Sequence, residues 1–315
     1  MKWLVLGVLS LLAVAAALVV GPAGVPLREL AGSSIVWDLR APRVVLGFIV
    51  GGSLAVAGAG LQAVVRNPLA DPFLLGLSGG AGLGAVVAMA LDLSGPWAVP
   101  LAAFAGALVA LVLVYRMGLA GGAGGALDPR ILLLGGVAVG AFAAAVTTAI
   151  VSLAEATALR NAFLWLWGGL SGASWDTVLV LAIYAPVPLA IIAAAARPLD
   201  LMTLGEEPAR YLGADVEAVK RRVYVAASLL TAASVAVSGV IGFVGLIVPH
   251  LGRLVWGHRH RTLLPAAFLS GGTLLVLADT LARTVVAPRE LPVGIVTALV
   301  GVPLFALLLR RWRIA

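Results

Sequence analysis

The sequence predicts an all-α polytopic membrane protein, and three observations carry that prediction. Of its 315 residues, 62% are hydrophobic and 11% charged, with a mean hydropathy of +1.12. That leaves too little polar side chain to cover a water-soluble globule of this size. The apolar residues fall into runs near the ~20 residues that a spanning helix requires. The runs lack the two-residue alternation of barrel strands, so helices are the remaining way to satisfy the backbone in lipid.

Ten runs are expected to span, near residues 3–20, 44–65, 73–91, 97–115, 131–154, 176–196, 223–241, 244–257, 264–286 and 292–309, in one domain covering 1–315. The first begins after a single lysine and stays apolar through Ala15 to Val20. That is longer than the ~7–15 residue core of a cleaved signal, so it reads as a spanning helix. The second and third are joined by Arg66-Asn67-Pro68-Leu69-Ala70-Asp71-Pro72, where Asn and Asp each precede a proline. Such pairs fix an extended turn and then start a helix. A Gly/Ala-rich loop, Gly118 to Ala126, separates the fourth and fifth runs and is expected to be flexible.

After the sixth run comes the one long polar island, about 197–222. It predicts a short helix around Glu206 to Leu212 that is stopped by Gly213. A second helix is opened by Asp215 as its N-cap and runs into the seventh span. The seventh and eighth runs are joined through Gly239 to Arg253 with almost no loop, and Pro249 with His250 interrupts the eighth. Small residues four apart (Gly47 and Gly51, Ala55 and Ala59, Gly80 and Gly84, Gly136 and Gly140, Gly168 and Gly172) predict close helix packing.

Orientation follows from lysine and arginine in the short loops. With both termini cytoplasmic, all but six of the 21 basic residues fall inside, the exceptions being Arg28, Arg40, Arg43, Arg160, Arg283 and Arg289. The polar island then lies in the cytoplasm.

Several chemistries are excluded. There is no cysteine, hence no disulfide or thiolate site. The basic residues stand at the ends of apolar runs rather than in a patch with interleaved aromatics, which argues against nucleic acid. Only Lys2 and Lys220 are lysines, and neither follows a Walker A glycine pattern, so the chain does not hydrolyse ATP. His258 and His260 form a weak metal spacing without a third ligand or a nearby carboxylate. With His250 they read as a solvated interfacial loop, and no metal is assigned. Asp279 and Arg283, one turn apart, read as a local ion pair on a helix face. Translocation is the other use of an ionisable pair in a span. Gln62, Thr147 and Thr148 are candidates for lining a path or for bonding between helices.

The segments Leu39 to Arg43, Ala57 to Ala63, Arg66 to Pro72, Gly76-Leu77-Ser78, Ile241 to His250 and Glu290 to Gly294 together resemble the FecCD-type permeases, in order and spacing. These are membrane subunits of type II ABC importers for iron-siderophores, haem and cobalamin. The resemblance implies a membrane-spanning permease subunit with ten spans per chain, working as a homodimer in the cytoplasmic membrane. Its implied partners are two ATP-binding cassette subunits, an external substrate-binding protein and membrane lipid. No cofactor is then bound by this chain; ATP and Mg belong to the ATPase subunits.

The resemblance also assigns residues. Coupling to the ATPase falls to about Leu204 to Val216. Leu204, Tyr211 and Leu212 would supply apolar contact, Glu206, Glu207 and Arg210 orienting charge, and Gly213 the bend. Arg40, Arg43 and Arg283 match arginines that receive acidic residues of the binding protein, and they are expected to be exposed. The pathway is expected along Ile131 to Ala154, with Asp128, Pro129, Thr147 and Thr148 as pathway or gate candidates and flanking loops at 128–130 and 155–163. The competing reading is a secondary transporter driven by an ion gradient.

Overall fold

The computed structural model describes residues 1–22, 24–122 and 126–312. Residues 123–125 of the Gly/Ala-rich loop therefore lie outside the described residues. Those described are helical or irregular, with no strand among them. The helices are α1 (Lys2–Val19), α2 (Ala41–Val65), α3 (Leu77–Ala90), α4 (Ala98–Gly121), α5 (Pro129–Ser152), α6 (Ala156–Leu166), α7 (Trp175–Tyr184) and α8 (Pro186–Ala194). They continue with α9 (Ala196–Met202), α10 (Glu206–Tyr211), α11 (Val216–Ser238), α12 (Val244–Trp256), α13 (His260–Ala282) and α14 (Val293–Trp312).

Among the described residues, six segments are long and apolar enough to cross a membrane: α1, Ile35–Val65, α4, α5, Trp175–Ala194 and α13. Shorter apolar helices occur at Leu77–Ala90, Val244–Trp256 and Val293–Leu307. Burial separates these helices sharply. In the most apolar window of Ile35–Val65, 83% is buried, against 28% for α4 and α5 and 22% for α1. Thus α2 is the central helix; it packs most heavily on α13, then on α11 and α12.

Glycine makes that packing close. A Cβ on Gly51 would collide with the Gly271 carbonyl of α13, and one on Gly58 with the Gly245 carbonyl of α12. Gly80 and Gly84 approach Gly106 and Ala102 of α4 in the same way, and Gly136 approaches the backbone at Leu74. Small residues let backbones touch where lipid provides no hydrophobic drive between helices. The pair Gly168 and Gly172 is different: both lie in the turn after α6, Gly168 at φ +67°, and no helix contact uses their spacing. Because the atom facing Gly58 is backbone, it has no rotamer by which to move away. Gly58→Ala is expected to lower stability by about 1–3 kcal/mol, read as an earlier thermal transition of the purified protein in detergent.

The turns follow their local chemistry. Asn67 Oδ1 accepts from the Leu69 N–H at 2.9 Å, and Asp71 Oδ1 from the Phe73 N–H at 2.8 Å. Asp71 thereby caps a 3-10 turn, Pro72–Leu75, ahead of α3. Five residues separate α11 from α12, and α12 runs unbroken through Pro249. The expected interruption at Pro249 and His250 is absent, because a proline in the second turn of a short helix leaves few bonds to break.

The two ends of α2 define the two ends of the bundle. At one end Arg43 meets Asp279 at the end of α13; at the other Arg66 approaches Glu206 of α10. The N-terminus belongs to the α10 end, where Lys2 Nζ donates to the Val255 carbonyl at 2.8 Å and Trp3 packs on Trp256.

Candidate functional site

The polar island folds as its caps dictate. Gly205 at φ +116° and Gly213 at φ +85° bracket α10, and Asp215 accepts from the Ala218 N–H at 3.1 Å to open α11. One element was not foreseen: 196–202 is helical, as α9. Around α10, Leu204, Tyr211 and Leu212 are 64%, 84% and 59% exposed, while Ala209 is fully buried beneath them. Three large apolar side chains thus project from a tip anchored from below.

The anchor is ionic. Lys220, 2% exposed, places Nζ 2.8 Å from Glu206 and 3.1 Å from Glu217. Arg210 lies 3.5 Å from both carboxylates, and Arg66 lies 3.6 Å from Glu206. Glu206 and Arg210 therefore turn back onto the bundle, whereas Glu207 stays exposed. The orienting charge expected of Glu206 and Arg210 is engaged within the chain, because a buried ammonium needs its counter-charges close.

This network reaches α5. Glu217 accepts from the Leu127 N–H at 2.9 Å, and Lys220 Nζ donates to the Leu127 carbonyl at 3.4 Å. Burial pushes the Glu217 carboxyl up, but the Leu127 amide, Lys220 and Arg210 together hold it below the usual carboxylate range. Next in the chain, Asp128 caps α5 by accepting from the Arg130 N–H at 2.8 Å, with Pro129 in the first turn. Asp128, Pro129, Glu206, Arg210 and Lys220 line one cleft of about 730 Å³. Two of the pathway candidates thus sit beside residues expected to couple to the ATPase. Lys220 and Glu217 were missed as site residues, although their three-residue spacing in the polar island was the available signal.

Along α5, Thr147 is buried and Thr148 is exposed, its hydroxyl donating to the Ala144 carbonyl at 2.8 Å. Leu134, Val137 and Phe142 are also exposed on this helix. Residues 156–163, expected as a loop, belong to α6. Gln62 lines no path along its amide nitrogen: Nε2 donates to the Ala70, Gly245 and Leu246 carbonyls at 3.2 to 3.3 Å, tying α2 to α12.

At the opposite end the three arginines are not exposed. Arg40 is 4% and Arg283 3% exposed. Arg40 donates to the Leu18 and Val19 carbonyls at 2.9 and 2.6 Å, and Arg283 donates to the Ala17 carbonyl. Both therefore cap α1, whose last carbonyls lack helical partners and carry the negative end of its dipole. Arg43 makes a bidentate contact to Asp279 at 2.8 and 2.9 Å and reaches Glu290 at 2.9 Å. Arg283 stands 3.9 Å from Asp279. The main partner of Asp279 is thus across a helix interface rather than one turn away.

The histidines also differ from expectation. His260 is buried, with Nδ1 2.6 Å from Asp200, so a carboxylate is present after all. The solvated reading holds for the exposed His258 alone.

Comparison with known proteins decides the family. The model of the FecCD transport family matches residues 3–311. The chain belongs to the FecCD transport family. This FecCD chain is 47% identical over 276 residues to the cobalamin import system permease of Halobacterium salinarum, covering 88% of this chain and 73% of that one. It is 43% identical over 285 residues to the hemin transport system permease of Yersinia pestis, covering 88% and 84%. A solved chain, described as an inward-facing conformation of a metal-chelate type ABC transporter, superposes with a TM-score of 0.87 at 28% identity over 97% of each chain. FecCD chains are membrane-spanning ABC importer permeases rather than catalytic subunits, and they work with ATPase subunits and a substrate-binding protein.

Proposed function

We propose that this chain is the permease subunit of an ATP-driven importer for a cobalamin, haem or iron-siderophore type chelate. The α10 tip is the observation that carries this reading: Leu204, Tyr211 and Leu212 face outward on a base clamped through Lys220. An exposed apolar cluster on a rigid mount fits the cleft of a partner and transmits its displacement. From there the clamp leads through Leu127 to the start of α5.

In this reading the α10 end is cytoplasmic, both termini lie there, ten spans form one permease domain, and two copies enclose the pathway. The exposed face of α5 lines that pathway, with Thr147 and Thr148 along it and Asp128 and Pro129 at its gate. ATP and Mg remain on the ATPase subunits. At the far end, Arg40, Arg43 and Arg283 against Asp279 and Glu290 leave a net positive charge of about one. That charge, rather than protruding guanidinium groups, would steer the acidic lobes of a binding protein.

The test is reconstitution with the cognate ATPase. Tyr211→Ala with Leu212→Ala is expected to weaken ATPase association about tenfold or more and to uncouple hydrolysis from uptake. Unchanged association would sink the assignment of α10. Uptake with no ATPase present would instead favour an ion-gradient transporter.

A further inference from the structure

A groove of about 1030 Å³ runs between α11 and the span formed by α7 and α8. On α11 it is lined by Arg222, Val225, Ala226 and Leu229, whose spacing of three, four and seven residues keeps them on one helix face. Val180, Ile183, Val187 and Ile191 form the opposite wall. All four are exposed, so the chain itself does not cover them. From Val180 to Ile191 the wall is about 16 Å long at helical rise, close to half of the ~30 Å hydrocarbon layer. The groove is thus about one leaflet long, and its walls are apolar over that length.

Charge stands at one end only. Arg221 and Arg222, both exposed, line the groove where α11 leaves the α10 end. Arg221 Nε donates to the Glu217 carbonyl of its own helix at 3.3 Å. The Glu217 carboxylate is committed to Lys220 and Arg210 instead, and among the described residues neither Arg221 nor Arg222 is in an ion pair. No aspartate or glutamate lines the groove. A helix of another protein seated here would have to bring its own carboxylates to that end. A lipid anion complements both parts at once, with a hydrocarbon chain for the walls and a phosphate for the guanidinium groups.

We infer that the groove is a site for an anionic phospholipid of the leaflet at the α10 end, with one acyl chain lying between α11 and the α7–α8 wall and the phosphate on Arg221 and Arg222. The inference needs only that the chain spans a membrane, and it holds whichever solute is carried. Snorkelling arginines attract anionic lipid diffusely. A groove beside them adds a fixed seat for the chain, so binding is expected to saturate at one lipid. A zwitterionic lipid has the same chains and a phosphate, but its ammonium cancels the charge that the two arginines complement.

The chain has no cysteine, so Ile183→Cys allows a single bimane label on the groove wall. The labelled full-length protein would be placed in phosphatidylcholine nanodiscs with increasing fractions of phosphatidylglycerol brominated on its acyl chains, and quenching compared with that by brominated phosphatidylcholine. Half-maximal quenching is expected at a phosphatidylglycerol fraction on the order of tenfold lower, the effect of two arginines at an anionic lipid. Arg221→Gln with Arg222→Gln should bring the two curves together. Arg221→Lys with Arg222→Lys keeps the charge and should keep most of the preference, which separates lost charge from a disturbed fold. The proposal is overturned by equal quenching by the two lipids, or by a preference that the glutamine variant retains or the lysine variant loses. It is also overturned by a label that neither lipid reaches, which would mean that a second copy of the chain or another protein covers the groove.

Discussion

Replacing Asp279 with leucine is expected to give the largest loss of stability of any single change at the far end of the bundle, about 3–5 kcal/mol. Asp279 is 3% exposed at its side chain and neutralises Arg43, itself only 12% exposed, while Arg283 stands nearby at equal depth. Without the carboxylate, three arginines face one another, with Glu290 alone to offset them. The loss should appear as a lower melting temperature and poor recovery of the purified protein. A double variant, Arg43→Met with Asp279→Leu, should regain much of the loss, because removing both partners leaves less uncompensated charge. If the double variant is as unstable as the sum of the single ones, the pair is not the stabilising unit described.

Lys220→Met is the second. The ammonium is buried between Glu206 and Glu217, so its removal leaves two carboxylates held together with only Arg210 and Arg66 nearby. A cost of about 3 kcal/mol is expected, the low end for breaking a buried pair, since both carboxylates keep some contact with solvent. The functional effect should exceed the stability effect. Cut from Lys220, α10 keeps only the 3.5 Å contact of Arg210 with Glu217 as its ionic tie toward Leu127 and α5, so ATP hydrolysis should continue while uptake falls. Lys220→Arg should restore part of both. Uptake that tracks hydrolysis unchanged in Lys220→Met would remove the clamp from the coupling route.

What the sequence made legible was local. Asp215 as an N-cap, Gly213 as a stop, and the Asn67 and Asp71 turns each depend on neighbours within a few residues, and each is present in the structure. The contact of Arg43 with Asp279 spans 236 positions, and no periodicity points to it. The expected pair of Asp279 with Arg283, one turn away, is present at 3.9 Å, but Arg283 spends its hydrogen bond on the end of α1. Burial of Arg40 was hidden for the same reason: the carbonyls it caps belong to a helix that ends some twenty residues earlier. In runs that are apolar all round, hydropathy marks a span but not its inward face, so the central place of α2 was not readable either.

That central place has a consequence for how the protein meets its bilayer. α2 is 25 residues long, or about 38 Å at helical rise, beyond the ~30 Å of a typical hydrocarbon layer. A lipid-facing helix of that length would have to tilt or thicken the membrane around it. Sheathed by α11, α12 and α13, α2 touches little lipid and is released from that matching condition. Membrane thickness therefore acts on the outer helices alone, and a thinner or thicker bilayer should shift them against a core whose length it does not set.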